Sequence, residues 1–152
     1  MIYVVSKNKI PPPLSVVNSQ SRITINSSNP VFIMQGEVEV LTPCKLEISG
    51  TIAGTFYHVC GIAVYVDDVA INKGTGRNLC HIDCMNVYYS NGNNGWLMHM
   101  PYNTSSVVLN VGIHTIKIGV ICKWSGTKRT TRVNDRSSND MASSSNLIVR
   151  EL

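Results

Sequence analysis

The stretch "GIHTIKIGVIC", residues 112–122, constrains this chain more than any other. Its side chains repeat with period two. His114, Ile116, Ile118, Val120 and Cys122 share one side of an extended strand, and Ile113, Thr115, Lys117, Gly119 and Ile121 share the other. The first side is apolar except for His114 at its start, so it belongs to a core. A helix would need apolar residues at i, i+3, i+4 and i+7, and no part of the chain supplies that pattern convincingly.

The same alternation recurs. In "VEVLTPCKLEISGTI", Val38, Val40, Leu46, Ile48 and Ile52 face inward, while Glu37, Glu39, Lys45 and Glu47 face outward. Pro43 marks a turn there, because proline cannot donate to a ladder. "YHVCGIAVYVDDVAI" reads as a strand, a tight turn at Asp67-Asp68 and a short return strand. "WLMHM", "SSVVLNV", with a strand over Val107–Leu109, and the closing "LIVREL" add further strands. Spacers such as "SNGNNG" and "WSGTKR" are turn chemistry. Short strands joined this way predict an antiparallel sandwich or barrel, not βαβ units.

Size and composition set the remaining bounds. The 152 residues suit one domain, which hides about 68–70% of its unfolded surface. We divide the chain into an arm, 1–18, and a β-sandwich, 19–152. In the arm, Ile2, Tyr3, Val4 and Val5 form a short apolar strand. Pro11, Pro12 and Pro13 hold an extended spacer that leaves the sandwich to pack on a neighbouring subunit, or forms an edge strand on its own domain. Charged residues are only 14% of the chain, and Ser, Thr and Asn fill the polar surface. A net charge of +4 falls short of a dedicated nucleic-acid binder. Met1 leads straight into "IYVVSKNK", so no secretory leader is expected, nor is membrane insertion. The sequons at Asn26 and Asn103 then carry little meaning. Five cysteines read as reduced thiols, mostly in the core.

Residues able to carry chemistry are few. "CHIDC" places Cys80, His81, Asp83 and Cys84 together, with His58 and Cys60 as distant partners. In a strand, however, the two thiols face one side and His81 and Asp83 the other, so one zinc ion could not take them all without a bulge. Asp67 and Asp68 are too few ligands for calcium. A Cys/His dyad of Cys60 with His58 or His99 rests on residue type alone. No nucleophile elbow, P-loop or metalloprotease helix occurs. We therefore expect no enzyme, no catalytic residue, no metal and no cofactor. His114 sits at a strand mouth, where a ring nitrogen reaches a backbone carbonyl or water. Lys123, Lys128, Arg129, Arg132 and Arg136 form a basic stretch that could contact anions. Few aromatics interleave with it, which argues against single-stranded nucleic acid. Tyr88, Tyr89, Trp96 and Tyr102 surround a Gly/Asn loop, as glycan-stacking rings or as core or subunit-interface packing.

"LNVGIHTIKIGV", with "GIAVYVDDVAI" and the closing "NLIVREL", resembles phage fibre and virion-surface jelly-roll domains, which share the general form of tumour necrosis factor-like trimeric sandwiches. The resemblance spans Cys44 to Leu152. It departs at Asp68, where the family hairpin often carries glycine, and it leaves the N-terminal arm outside. It implies an all-β, antiparallel jelly-roll-like β-sandwich with an extended N-terminal arm, serving as a virion module. We expect a homo-oligomer, a trimer, on the particle surface as a head decoration, fibre or tail-fibre protein beside capsid or tail proteins, with a host surface glycan as a further partner. A lectin-like receptor-recognition module is the alternative.

Overall fold

The computed structural model describes residues 12–25, 27, 29–56, 59–71, 85–89, 96–122, 131–134 and 144–152, with the backbone alone at 59, 85–89 and 96–98. The strands are β1 (Ser15–Ser19), β2 (Ile23–Ile25), β3 (Val31–Val40), β4 (Leu46–Phe56), β5 (Val59–Val66), β6 (Val69–Ala70), β7 (Met85–Tyr89), β8 (Trp96–Ser105), β9 (Gly112–Cys122), β10 (Thr131–Val133) and β11 (Ser145–Glu151). No helix occurs among the described residues. The all-β expectation holds.

Two antiparallel sheets face each other. In the first, β4 lies between β8 on one edge and β11 on the other, and β1 flanks β11. Beyond the end of β11, β10 takes over the same edge of β4 and carries β2 outside it. In the second, β9 lies between β3 and β5, and β6 and β7 share the outer edge of β5. The long pairings are nested: β1 with β11, β3 with β9, β4 with β8, β5 with β7. A folded ribbon of such nested pairs, rolled up so that alternate pairs fall in opposite sheets, is a jelly roll.

The core fills the space between the sheets. Ile116, Ile118, Val120 and Cys122 meet Val38, Val40, Leu46, Ile48, Ile52, Ile62 and Phe56 there. The inward faces read from the alternation are thus the buried ones. Ile121, on the opposite side of β9, is also covered. It packs with Ala63 and Tyr65 on the outer face of the second sheet, beside a stack in which Phe32 meets Tyr65 edge to face at 5.2 Å.

The Asp67-Asp68 turn closes β5 onto β6 with both residues left-handed, at φ 49° and 65°. This is the turn whose hand matches the strand twist. Asp68 occupies the position often filled by glycine in the resembling hairpin, and aspartate tolerates it because its short polar side chain bonds locally.

The strand expected over Val107–Leu109 does not form. Ser106 ends the β4–β8 ladder by itself: its amide donates to the Leu46 carbonyl, and its Oγ accepts the Leu46 amide at 2.9 Å. With that donor satisfied by a side chain, the chain peels away. Val107 and Val108 turn to solvent, and only Leu109 re-engages, bridging Cys44.

At the N-terminal side, Pro12 and Pro13 are exposed and outside any strand. The Leu14 amide donates to the Val149 carbonyl at 2.7 Å, and Ser15–Ser19 continues along β11 as an edge strand. Ile2, Tyr3, Val4, Val5 and Pro11 lie outside the described residues.

Candidate functional site

The register of both sheets gathers the exposed apolar side chains at one end of the sandwich. There β3 ends and β4 begins, β8 ends and β9 begins, β5 turns into β6, and β1 enters as β11 leaves. Leu41 is 75% exposed, Ile113 71%, Val107 68% and Val69 64%. Val108, Val111, Leu14 and Leu152 are exposed beside them. Of the exposed large hydrophobics among the described residues, only Val16 and Phe32 are not part of this end. An open groove of about 600 Å³ runs into the end between β5–β6 and the β8–β9 connection, lined by Val66, Val69, Ala70, Ile71, Val107, Leu109 and Asp67. Scattered exposed valines are ordinary; a set gathered at one end of the sandwich is not.

His114 stands in this end as a brace. Its Nδ1 lies 2.7 Å from Asp67 Oδ2 and its Nε2 2.8 Å from the Asn110 carbonyl oxygen. The other Asp67 oxygen accepts the Thr115 amide at 3.0 Å, and the Asp67 amide donates to the Thr115 carbonyl. Beside it Lys117 pairs with Asp68 at 2.5 Å. The His114 side chain is 14% exposed. Its pKa is raised above the ordinary 6.5, first by the hydrogen bond to Asp67 and next by that to Asn110, against partial desolvation. Desolvation pushes the Asp67 carboxyl up, but the bonds from His114 and the Thr115 amide outweigh it and hold the group below its ordinary 3.8. The backbone carbonyl expected for His114 is there; the carboxylate partner, 47 residues away in sequence, has no local signal that would announce it. Asp67 and Asp68 are both engaged by cations of β9.

The opposite end holds the flanks of the aromatic and basic segments. The backbones of Tyr89 and Trp96, which border residues 90–95, stand there with Cys122 and Thr131, which border residues 123–130. Tyr88 pairs with Cys60 and Trp96 with Phe56. Tyr102 is a correction to the stacking set. Its ring is buried, its hydroxyl donates to the Asn146 carbonyl at 2.8 Å, and burial pushes its phenol well above the usual 10. It pairs across the ladder with Gly50, on the inner face, so it is core. Arg132 sits half-buried on β10, between β4 and β2. Lys123, Lys128, Arg129 and Arg136 lie outside the described residues, as do His58, Cys80, His81, Asp83, Cys84 and Asn26.

Cys60 and Cys122 are cross-strand partners with sulfurs 3.3 Å apart, and the Thr131 hydroxyl lies 3.2 Å from the first and 3.5 Å from the second. All three are buried, and the thiols are unbridged. Both cysteines belong to the core, in line with the reading of their type. Among the described residues, no three His, Cys, Asp or Glu side chains converge on a point, and no helix is long and apolar enough to cross a membrane.

No known protein family matches the chain, and no curated protein matches it. Among solved structures, a chain from the structure of infectious bursal disease virus, Gx strain, aligns over 99% of this chain at 12% identity and a TM-score of 0.44; this chain spans 37% of that chain's length.

Proposed function

We propose that this protein is a non-enzymatic structural component of a virus particle, a bacteriophage surface protein that associates through the apolar end of its jelly roll. That end is the single observation that carries the proposal. A folded chain exposing Leu41, Val69, Val107, Val108, Val111 and Ile113 together is stabilised by covering them. The jelly roll serves capsid and lectin domains alike, so the fold does not decide between them; the placement of the apolar side chains supports assembly. The sequence resemblance to virion-surface domains points the same way and favours a trimer. In that arrangement the apolar ends bury one another, and the opposite end, where Tyr89, Trp96, Cys122 and Thr131 stand, faces outward, where a host glycan or another virion protein would meet it.

Light scattering over a concentration series tests this. The wild-type chain is expected to form a defined oligomer. Val108→Asp and Ile113→Asp, at exposed positions, are each expected to leave the folded circular-dichroism spectrum unchanged and to weaken association about 10-fold or more, as central contact residues do. A wild-type chain monomeric at all concentrations, or variants that assemble as well as wild type, would overturn the proposal. A monomer retained on glycan beads would instead favour the receptor-recognition module.

A further inference from the structure

We propose that His114 is a proton-operated latch for the apolar end: its imidazolium ties the β8–β9 connection to the β5–β6 turn, and loss of the proton frees the connection that carries Val107, Val108 and Val111. This rests on the reading of that end as a contact surface and supplies its regulation.

The ring geometry carries the inference. Nδ1 faces a carboxylate oxygen at 2.7 Å and Nε2 a backbone carbonyl oxygen at 2.8 Å. Neither an ionised carboxylate nor a carbonyl can donate a hydrogen bond. Only the doubly protonated ring has an N–H for each. A neutral ring keeps one N–H, and its other nitrogen then sets a lone pair against an oxygen lone pair at van der Waals range. The retained proton stays toward Asp67, because the charge-assisted bond is the stronger. The hydrogen bond to the Asn110 carbonyl is therefore the one that breaks. The rest of the connection is held at Ser106 and at the Leu109–Cys44 bridge, with no ladder between them.

The surrounding charges do not replace the proton. Asp68 is turned to Lys117. Glu37 and Glu39 flank Val38, the cross-strand partner of His114, and both point to the outer face. Residues 106–111 hold no ionisable side chain. Cys44 and Lys45 lie beyond the Leu109 bridge. The sign follows from the two directions of shift. A histidine raised in the folded state contributes fully below the unfolded 6.5 and loses that contribution as pH rises through its higher folded value. The lowered Asp67 contributes above 3.8 and loses that as pH falls through its lower folded value. The latch is closed between these limits and opens on the alkaline side.

The test is an NMR titration of the His114 ring in the full chain, with hydrogen exchange of the Ser106 and Leu109 amides. The ring is expected to titrate above 6.5. Amide protection should fall through the same midpoint, tenfold for each pKa unit that the Asn110 bond alone contributes. Asp67→Asn keeps a residue that tolerates the left-handed turn and is expected to return the His114 midpoint toward 6.5. His114→Gln should abolish the pH dependence of protection. A midpoint at or below 6.5, or protection indifferent to pH, overturns the latch. Light scattering over the same pH range separates the two claims. A chain that latches but stays monomeric at every pH defeats the contact surface and leaves the latch standing. A chain that associates equally on both sides of the His114 midpoint defeats the latch and leaves the contact surface standing.

Discussion

Gly50→Ala is expected to lower the unfolding midpoint by roughly 6–12 °C, read by circular dichroism or calorimetry, which corresponds to on the order of 3 kcal/mol for a chain of this size. Gly50 faces inward on β4, opposite Tyr102 on β8 and Leu147 on β11. A β-carbon there would fall inside the van der Waals envelope of the Asn146 carbonyl oxygen and 2.6 Å from the Tyr102 hydroxyl. The carbonyl is backbone, so no rotamer change relieves the overlap; β11 would have to move away from β4. The tyrosine ring occupies the room that the missing side chain leaves and ties its hydroxyl to the neighbouring strand. Tyr102→Phe, which removes one hydrogen bond and keeps the ring, is expected to cost about 1 kcal/mol. Combined with Gly50→Ala it should not rescue, because the carbonyl overlap remains. A Gly50→Ala protein as stable as wild type would show that β4 and β11 are not so closely apposed.

Asn134→Ala is expected to destabilise by about 3–5 kcal/mol, measured by urea unfolding. Asn134 is fully buried and left-handed, at φ 54°, where the first sheet passes from β10 to β11. Its amide group is saturated. Nδ2 donates to Ser19 Oγ at 2.9 Å and to the Ser21 carbonyl at 3.0 Å, while Oδ1 accepts the Ser145 amide at 3.0 Å and the Ser145 hydroxyl at 2.7 Å. The Ser145 hydroxyl in turn accepts the Ala53 amide at 3.0 Å, and the Asn134 amide donates to the Ala53 carbonyl. Asn134, through its side chain, its own amide and the Ser145 hydroxyl, thus joins β1, β4, β10 and β11 where no continuous ladder can. Alanine would strand buried donors and acceptors at about 1–3 kcal/mol each, offset by local relaxation, and would be strained in the left-handed region. Asn134→Gly isolates the amide, since glycine accepts the backbone conformation. It should recover about 1 kcal/mol of the loss and no more.

The parts of the fold legible in the sequence are those set by local alternation. β9, the buried faces of β3 and β4, and the Asp67-Asp68 hairpin follow from the period-two pattern and from turn chemistry, both of which act between near neighbours. What stays hidden depends on residues far apart. The peeling of Val107 and Val108 turns on a serine hydroxyl that reaches Leu46, 60 residues earlier. Tyr102 reads as an aromatic beside a loop because nothing local reveals the glycine opposite it. His114 does sit at a strand mouth with a carbonyl partner, as its place in the pattern implies, yet its link to Asp67 needs the pairing of β5 with β9. The apolar end is invisible in the sequence. Its members come from separate connections, and only the nested strand order brings them together.

The placement of Leu14 and Leu152 has a practical side. The Leu152 amide donates to the Lys45 carbonyl and the Leu14 amide to the Val149 carbonyl, so both leucines are pinned at the apolar end. A purification tag or fluorescent fusion joined directly to Leu152 would shade that surface. Cargo meant for display is better spliced into the far pole, where a graft would leave the apolar end untouched.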